Sequence, residues 1–178
     1  MNDRYTAPAI ALHWLIALAI ICTFPLGLYM SDLPLSPWKL RLYSYHKWTG
    51  ICILALVALR ILWRAGHRPP PPVAGMPRWQ QIAADAVHRG LYLLMVAVPV
   101  SGWLMSSALG FQVVLFGLLP LPDLVGKDKA LGNALKEVHE VLNYGLLALF
   151  AAHVAAALKH HFVDRDETMY RMSPFPRR

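Results

Sequence analysis

Charge is scarce in this sequence. Only 15% of its 178 residues are Asp, Glu, Lys or Arg, against about a quarter in an ordinary soluble domain. The charges also cluster, leaving long apolar stretches between them. With 57% hydrophobic residues and a mean hydropathy of +0.42, this profile excludes a typical soluble domain and reads as an integral membrane protein. Cysteine is nearly absent: Cys22 and Cys52 lie in separate apolar stretches and form no C-x-x-C. That excludes a zinc knuckle, an iron–sulfur ligand set and a thioredoxin-type pair. Carboxylates are missing from the apolar stretches too, with Asp85 alone near a span interior, so a transition-metal transporter is a poor fit.

Four apolar segments are present, each long enough for the roughly 20 residues a bilayer crossing takes. They cover about residues 8–30, 45–63, 83–109 and 134–162. The expected fold is all-α, an integral membrane four-helix bundle forming a single transmembrane domain over residues 1–178. The first segment is too long and too weakly basic at its start for a signal peptide, and His13 interrupts it early. Residues 31–44 read as a short loop broken by Pro34 and Pro37. Residues 65–80 hold four consecutive prolines and read as extended polyproline II, and 110–133 as a turn-rich loop. An even number of spans puts both termini on one side. Eleven of the seventeen basic residues fall there, Arg177 and Arg178 among them, so the termini are expected to be cytoplasmic.

Histidine is what the spans do contain. His13 falls near the inner end of the first span, His46 at the outer end of the second and His88 near the inner end of the third. His139 and His153 occupy the outer and inner parts of the fourth, which His160 and His161 close; His67 lies in the Pro-rich linker. Ionisable groups inside spans are rare and face the bundle interior. His139 and His153 are fourteen residues apart, which returns to within roughly 40° of the same helix face and separates them by about 21 Å in depth. They cannot share one metal, so each needs a partner at its own depth. For His139 that partner is His46; for His153 it is His13 or His88. Two stacked bis-imidazole sites suggest two haems. Without C-x-x-C-H these would be held non-covalently, as b-type. Gly50, one turn from His46, would let a macrocycle approach closely.

The stretches RYTAPAIALHW, YSYHKWTG, KEVHE with AAHVAAALKHHF, and DRDETMYRM resemble the bacterial cytochrome b561 family. This is the group of four-span dihaem membrane cytochromes that includes superoxide oxidases. The resemblance covers essentially the whole chain. It implies that His46 and His139 hold the outer haem, and that His13 and His153 hold the inner one. His88 is then left without a ligand role and becomes, with His160, a candidate for a quinone pocket or proton entry, imidazole titrating near neutrality. Arg60 is a candidate partner for a haem propionate.

The expected function is transmembrane electron transfer in a bacterial inner membrane. Superoxide would be oxidised at the periplasmic face and ubiquinone reduced at the inner side, an oxidoreductase activity without side-chain catalysis. Six outer cations, Lys39, Arg41, Lys47, Lys127, Lys129 and Lys136, are candidates for steering the anion. Asp32, Asp123, Asp128, Glu137 and Glu140 offset them to a net charge of about +1. The alternative is an electron-relay cytochrome subunit that links a periplasmic dehydrogenase or carrier protein to the quinone pool. A third reading is a haem-bearing assembly partner with no turnover. Lipid and quinone are expected partners, and nucleic acid is not.

Overall fold

The computed structural model describes residues 4–73 and 75–175. Four long helices cross up and down: α1 (Ala7–Asp32), α2 (Pro37–Gly66), α3 (Arg78–Ala108) and α4 (Lys129–Lys159). A π-helical turn, His160–Asp164, prolongs α4, and a short α5 (Thr168–Arg171) follows. All four long helices are apolar and long enough to span a membrane. Their outward faces carry Leu18, Leu62, Leu93 and Val141, each at least 60% exposed, so burial among neighbouring helices cannot account for them. A bilayer does, because helices satisfy their own backbone groups and need only an apolar solvent. The chain is a multi-pass membrane protein.

The helices outrun the expected spans. Pro37, expected to break a loop over 31–44, instead starts α2: it sits in the first turn, and the Ser36 hydroxyl accepts the Lys39 amide at 3.2 Å. Proline fits there because the first-turn N–H has no intrahelical partner to lose. Similarly, Asp128 caps α4 by accepting from the amides of Ala130 and Leu131 at 2.9 and 3.1 Å. Two prolines lie within spans, Pro25 in α1 and Pro99 in α3. Within the 110–133 loop the chain forms an antiparallel hairpin, β1 (Val114–Leu115) with β2 (Leu119–Pro120), pairing Val114 with Pro120 and Leu115 with Leu119. This hairpin was not expected from the sequence.

Helix α1 packs on α2, α2 on α3 and α3 on α4. The core is Ile16, Ile53 and Val57, with Ala19, Ile20, Leu56, Tyr92, Met95 and Val96 against it. Ile16 lies one turn beyond His13, and Ile53 two turns beyond His46. The core therefore sits at mid-depth, between the two histidine levels.

The first and last described segments meet at one end of the bundle. The Tyr5 amide donates to the Arg171 carbonyl at 3.2 Å, an Arg4 guanidinium N–H to the Ser173 carbonyl at 2.7 Å and the Trp14 indole to the Met172 carbonyl at 2.9 Å. Arg171 in turn donates to the Pro71 carbonyl, tying the tail to the Pro-rich linker. Arg177 and Arg178 lie outside the described residues.

Candidate functional site

At the outer level α2 brings His46 to face His139 of α4, ring centroids 6.4 Å apart and planes at 82°. Nδ1 of His139 lies 3.0 Å from the Val98 carbonyl and 2.9 Å from Ser101 Oγ. A carbonyl only accepts, so Nδ1 carries the proton. The Ser101 hydroxyl hydrogen is already given to Val98, at 2.7 Å. That leaves Nε2 with a free lone pair, the arrangement by which a protein orients a metal-ligating imidazole. Nδ1 of His46 is buried without a hydrogen bond of normal geometry and faces the Thr23 backbone.

Two glycines flank this pair. A Cβ on Gly27 of α1 would lie 3.1 Å from His46 Cε1, and one on Gly102 of α3 would lie 3.0 Å from His139 Cε1. Both distances are tighter than ordinary carbon contacts. Between the helices at this level is a cavity of ≈ 320 Å³, walled by His46, His139, Phe24, Trp103, Leu146 and Phe150 and reaching Lys47 and Asn143. Gly50 also borders it, and a Cβ there would meet no protein atom within 4 Å. The slot expected beside Gly50 is present.

At the inner level three imidazoles converge. His13 of α1 and His153 of α4 have centroids 6.1 Å apart at 70°, and His88 of α3 lies 5.2 Å from His153. Arg60 of α2 acts electrostatically on all three, and its Nε donates to the Tyr92 hydroxyl at 2.8 Å.

The separations test whether an iron held between two imidazoles fits. Two metal–nitrogen bonds of about 2 Å, plus the half-width of each ring, put such centroids about 6 Å apart. His46–His139 at 6.4 Å and His13–His153 at 6.1 Å agree with this. His88–His153 at 5.2 Å is too close. Together with the apolar slot and the Nδ1–H that frees Nε2 of His139, the donor set fits a b-type haem.

The other expected residues are more dispersed. His160 turns away from the inner layer: its Nδ1 lies 2.7 Å from Asp166 and 3.1 Å from Asp164, which Lys159 also grips at 2.6 Å. Partial burial pushes the Asp166 carboxyl up, but hydrogen bonds from Thr168 and the His160 ring outweigh it and hold the group below the usual carboxylate range. His67 stacks on Trp63 at 3.9 Å, and His161 sits beside Phe162. Among the outer cations, Arg41, Lys127, Lys129 and Lys136 are exposed. Lys47 borders the cavity and donates to the Phe111 carbonyl at 3.1 Å. Lys39 donates to the carbonyls of Ser31 and Leu33, so it closes the C-terminal end of α1. Gly27, Ser101, Gly102 and Tyr92 had no sequence signal of their own; each matters only through a neighbouring helix.

Residues 4–175 match the family described as prokaryotic cytochrome b561. The chain is 34% identical to "Cytochrome b561 homolog 2" of Escherichia coli K12, over 96% of this chain and 91% of that protein. It is 31% identical to "Probable superoxide oxidase CybB" of Yersinia pestis over 98% of each. Identity to "Cytochrome b561 homolog 1" of E. coli K12 is 30%, over 97% of this chain and 98% of that protein.

Proposed function

Because the chain belongs to the prokaryotic cytochrome b561 family, whose b-type haem is a one-electron carrier, we propose that it transfers electrons across the bacterial inner membrane. In this reading superoxide is oxidised at the outer end and ubiquinone reduced at the end that carries the termini. The observation behind it is the pair of imidazole layers, each uniting two helices at the spacing an iron between two rings requires. His46 and His139 would hold the outer haem, and His13 and His153 the inner one. Helix α4 would supply a ligand to each.

The net reaction converts two superoxide ions to two molecules of oxygen while one quinone takes up two electrons and two protons to become a quinol. The chain's residues position and charge-compensate; none makes or breaks a covalent bond. Ser101 and the Val98 carbonyl fix the His139 ring with the proton on Nδ1, which would leave Nε2 to take a haem iron. Arg60, held by Tyr92 beside the inner layer, would supply the charge to compensate a haem propionate. The exposed cations Arg41, Lys127, Lys129 and Lys136 raise the encounter rate of a small anion with the outer end. His88 and His160 are the proton donors available near the inner layer and at the adjoining interface, with Asp166 fixing the His160 ring.

Stopped-flow mixing of the purified haem-loaded protein with superoxide tests this. Rapid appearance of the reduced b-type α-bands, then their decay as quinol forms, is the expected result. Bands that do not respond to superoxide would sink the reading and leave an electron-relay subunit that serves a periplasmic dehydrogenase or carrier.

A further inference from the structure

A second cavity, ≈ 310 Å³, opens where α1 begins, α2 ends and the Pro-rich linker departs. Four arginines line it, Arg4, Arg60, Arg64 and Arg68, and among the described residues no carboxylate does. Among the described residues, none of the four is in an ion pair with Asp or Glu. Four like charges around one cavity repel one another, and the repulsion is removed most directly by an anion between them.

The four are not equivalent. Arg60 points inward, bonded to the Tyr92 hydroxyl and acting on the histidine layer. Arg4 holds the C-terminal tail through the Ser173 carbonyl and lies over the Tyr170 ring, yet its Nε is buried without a partner. Arg64, like Arg60, lies over the Tyr92 ring at 5.8 Å, and Arg68 follows the C-cap His67 of α2. Arg64 and Arg68 make no hydrogen bond to another side chain among the described residues, so their guanidinium forks are free to take a ligand.

Depth selects the kind of anion. Trp63, which donates from its indole to Thr6 Oγ1 at 2.9 Å, marks the level at which both helices leave the apolar layer. An arginine-lined pocket between spanning helices at that level meets lipid phosphates directly. The N-terminus of α1 opens beside the cavity with no side-chain cap, adding the positive end of a 26-residue helix. A guanidinium fork matches two phosphate oxygens, whereas the choline of a zwitterionic lipid would bring a cation into a cationic pocket.

We propose that this pocket binds the headgroup of one anionic phospholipid per chain, with Arg64 and Arg68 taking the phosphate. Arg60 borders the same cavity but is turned to the Tyr92 hydroxyl and the histidine layer, so the phosphate falls to the outer part of the pocket, and the proposal does not depend on the superoxide reading.

The test uses delipidated, haem-loaded protein in detergent, titrated with phosphatidylglycerol or phosphatidylcholine and read by native mass spectrometry. One phosphatidylglycerol should be retained and phosphatidylcholine should not. R64Q/R68Q should weaken retention about twenty-five-fold, roughly fivefold for each cation removed, with unchanged b-type absorbance. R64K/R68K, which keeps the charge, should recover part of it. Equal retention of both lipids, or no effect of R64Q/R68Q, overturns the proposal. So does displacement of the lipid by inorganic phosphate at equal concentration, which would make this a site for soluble phosphate. Loss of absorbance in R64Q/R68Q would also overturn it, by assigning the pocket to the haem; failure of the superoxide assay alone would leave it standing.

Discussion

Gly102 of α3 and His139 of α4 are pressed together so closely that a single added methyl would sit 3.0 Å from the imidazole Cε1. Gly27 of α1 stands in the same relation to His46, at 3.1 Å. The two outer imidazoles are thus each backed by a bare stretch of a neighbouring helix, and their ring positions are set by helices that supply no ligand at that level.

Enlarging that contact should act on the outer site alone. Gly102→Val would force the His139 ring to move, an overpacking that costs about 1–3 kcal/mol of stability. The expected result is loss of about half of the b-type absorbance per chain, from a protein that still folds; Gly102→Ala, needing a shift of a few tenths of an ångström, should retain both haems. Reduced-minus-oxidised spectra of the two variants would check this.

The ligand assignment predicts a division among histidine variants. His139→Ala or His46→Ala should remove the outer haem only, and His153→Ala or His13→Ala the inner only. His88→Ala should keep both, because 5.2 Å from His153 leaves too little room for an iron between the rings. A haem-to-protein ratio near one for His88→Ala would reverse the roles of His13 and His88.

Ser101→Ala should be mild. It removes one of two acceptors for His139 Nδ1–H and leaves the Val98 carbonyl at 3.0 Å. Losses from such supporting contacts run to about 10–100-fold in metal affinity, and this one belongs at the low end. Haem transfer to apomyoglobin would measure it.

The depressed Asp166 carboxyl makes the docked tail pH-sensitive. A group whose folded pKa lies below its ordinary 3.8 stabilises fully above that value, and the contribution is lost as the pH falls through the folded one. Protease resistance of the segment after Asp164 should therefore persist at neutral pH and collapse only in acid below about 4. Asp166→Asn should weaken it at pH 7, where the wild-type carboxylate holds Thr168 and His160.

Anion steering is separable from haem binding. Reversing Arg41, Lys127 and Lys129 to Glu should slow the second-order reaction with superoxide by about tenfold or more at low salt, and the difference should shrink as salt is added. Lys39 belongs outside that set, since it closes α1 and its loss would disturb the fold.

The four helices and the shared face of His139 and His153 were legible in the sequence because both follow from arithmetic within one chain segment. Hydropathy over about 20 residues finds a span, and the phase between His139 and His153 is a property of α4 alone. What remained open at that stage, whether His13 or His88 faces His153, depends on the rotation and height of α1 and α3 against α4, which no single helix encodes. The resemblance implies His13, and the proposal keeps it because the His13–His153 rings are 6.1 Å apart and the His88–His153 rings 5.2 Å. Pro37 misled for a related reason: proline ends a helix from within yet starts one from its first turn, and only the Ser36 cap tells the two apart. The contact of Lys39 with the end of α1, like that of Gly102 with His139, exists only once two helices have been placed.

Between the two histidine layers lies an apolar core, Ile16, Ile53 and a fully buried Val57, packed by Ala19, Ile20, Leu56, Tyr92, Met95 and Val96. Among these described side chains only the Tyr92 hydroxyl offers a hydrogen bond, and Arg60 already holds it, so they form no continuous chain for a proton to hop along. Any electron passed over that gap travels unaccompanied, and its charge is not cancelled on the way. Turnover would then do electrical work on the membrane, and a pre-existing voltage across the bilayer would speed or slow the protein according to its sign.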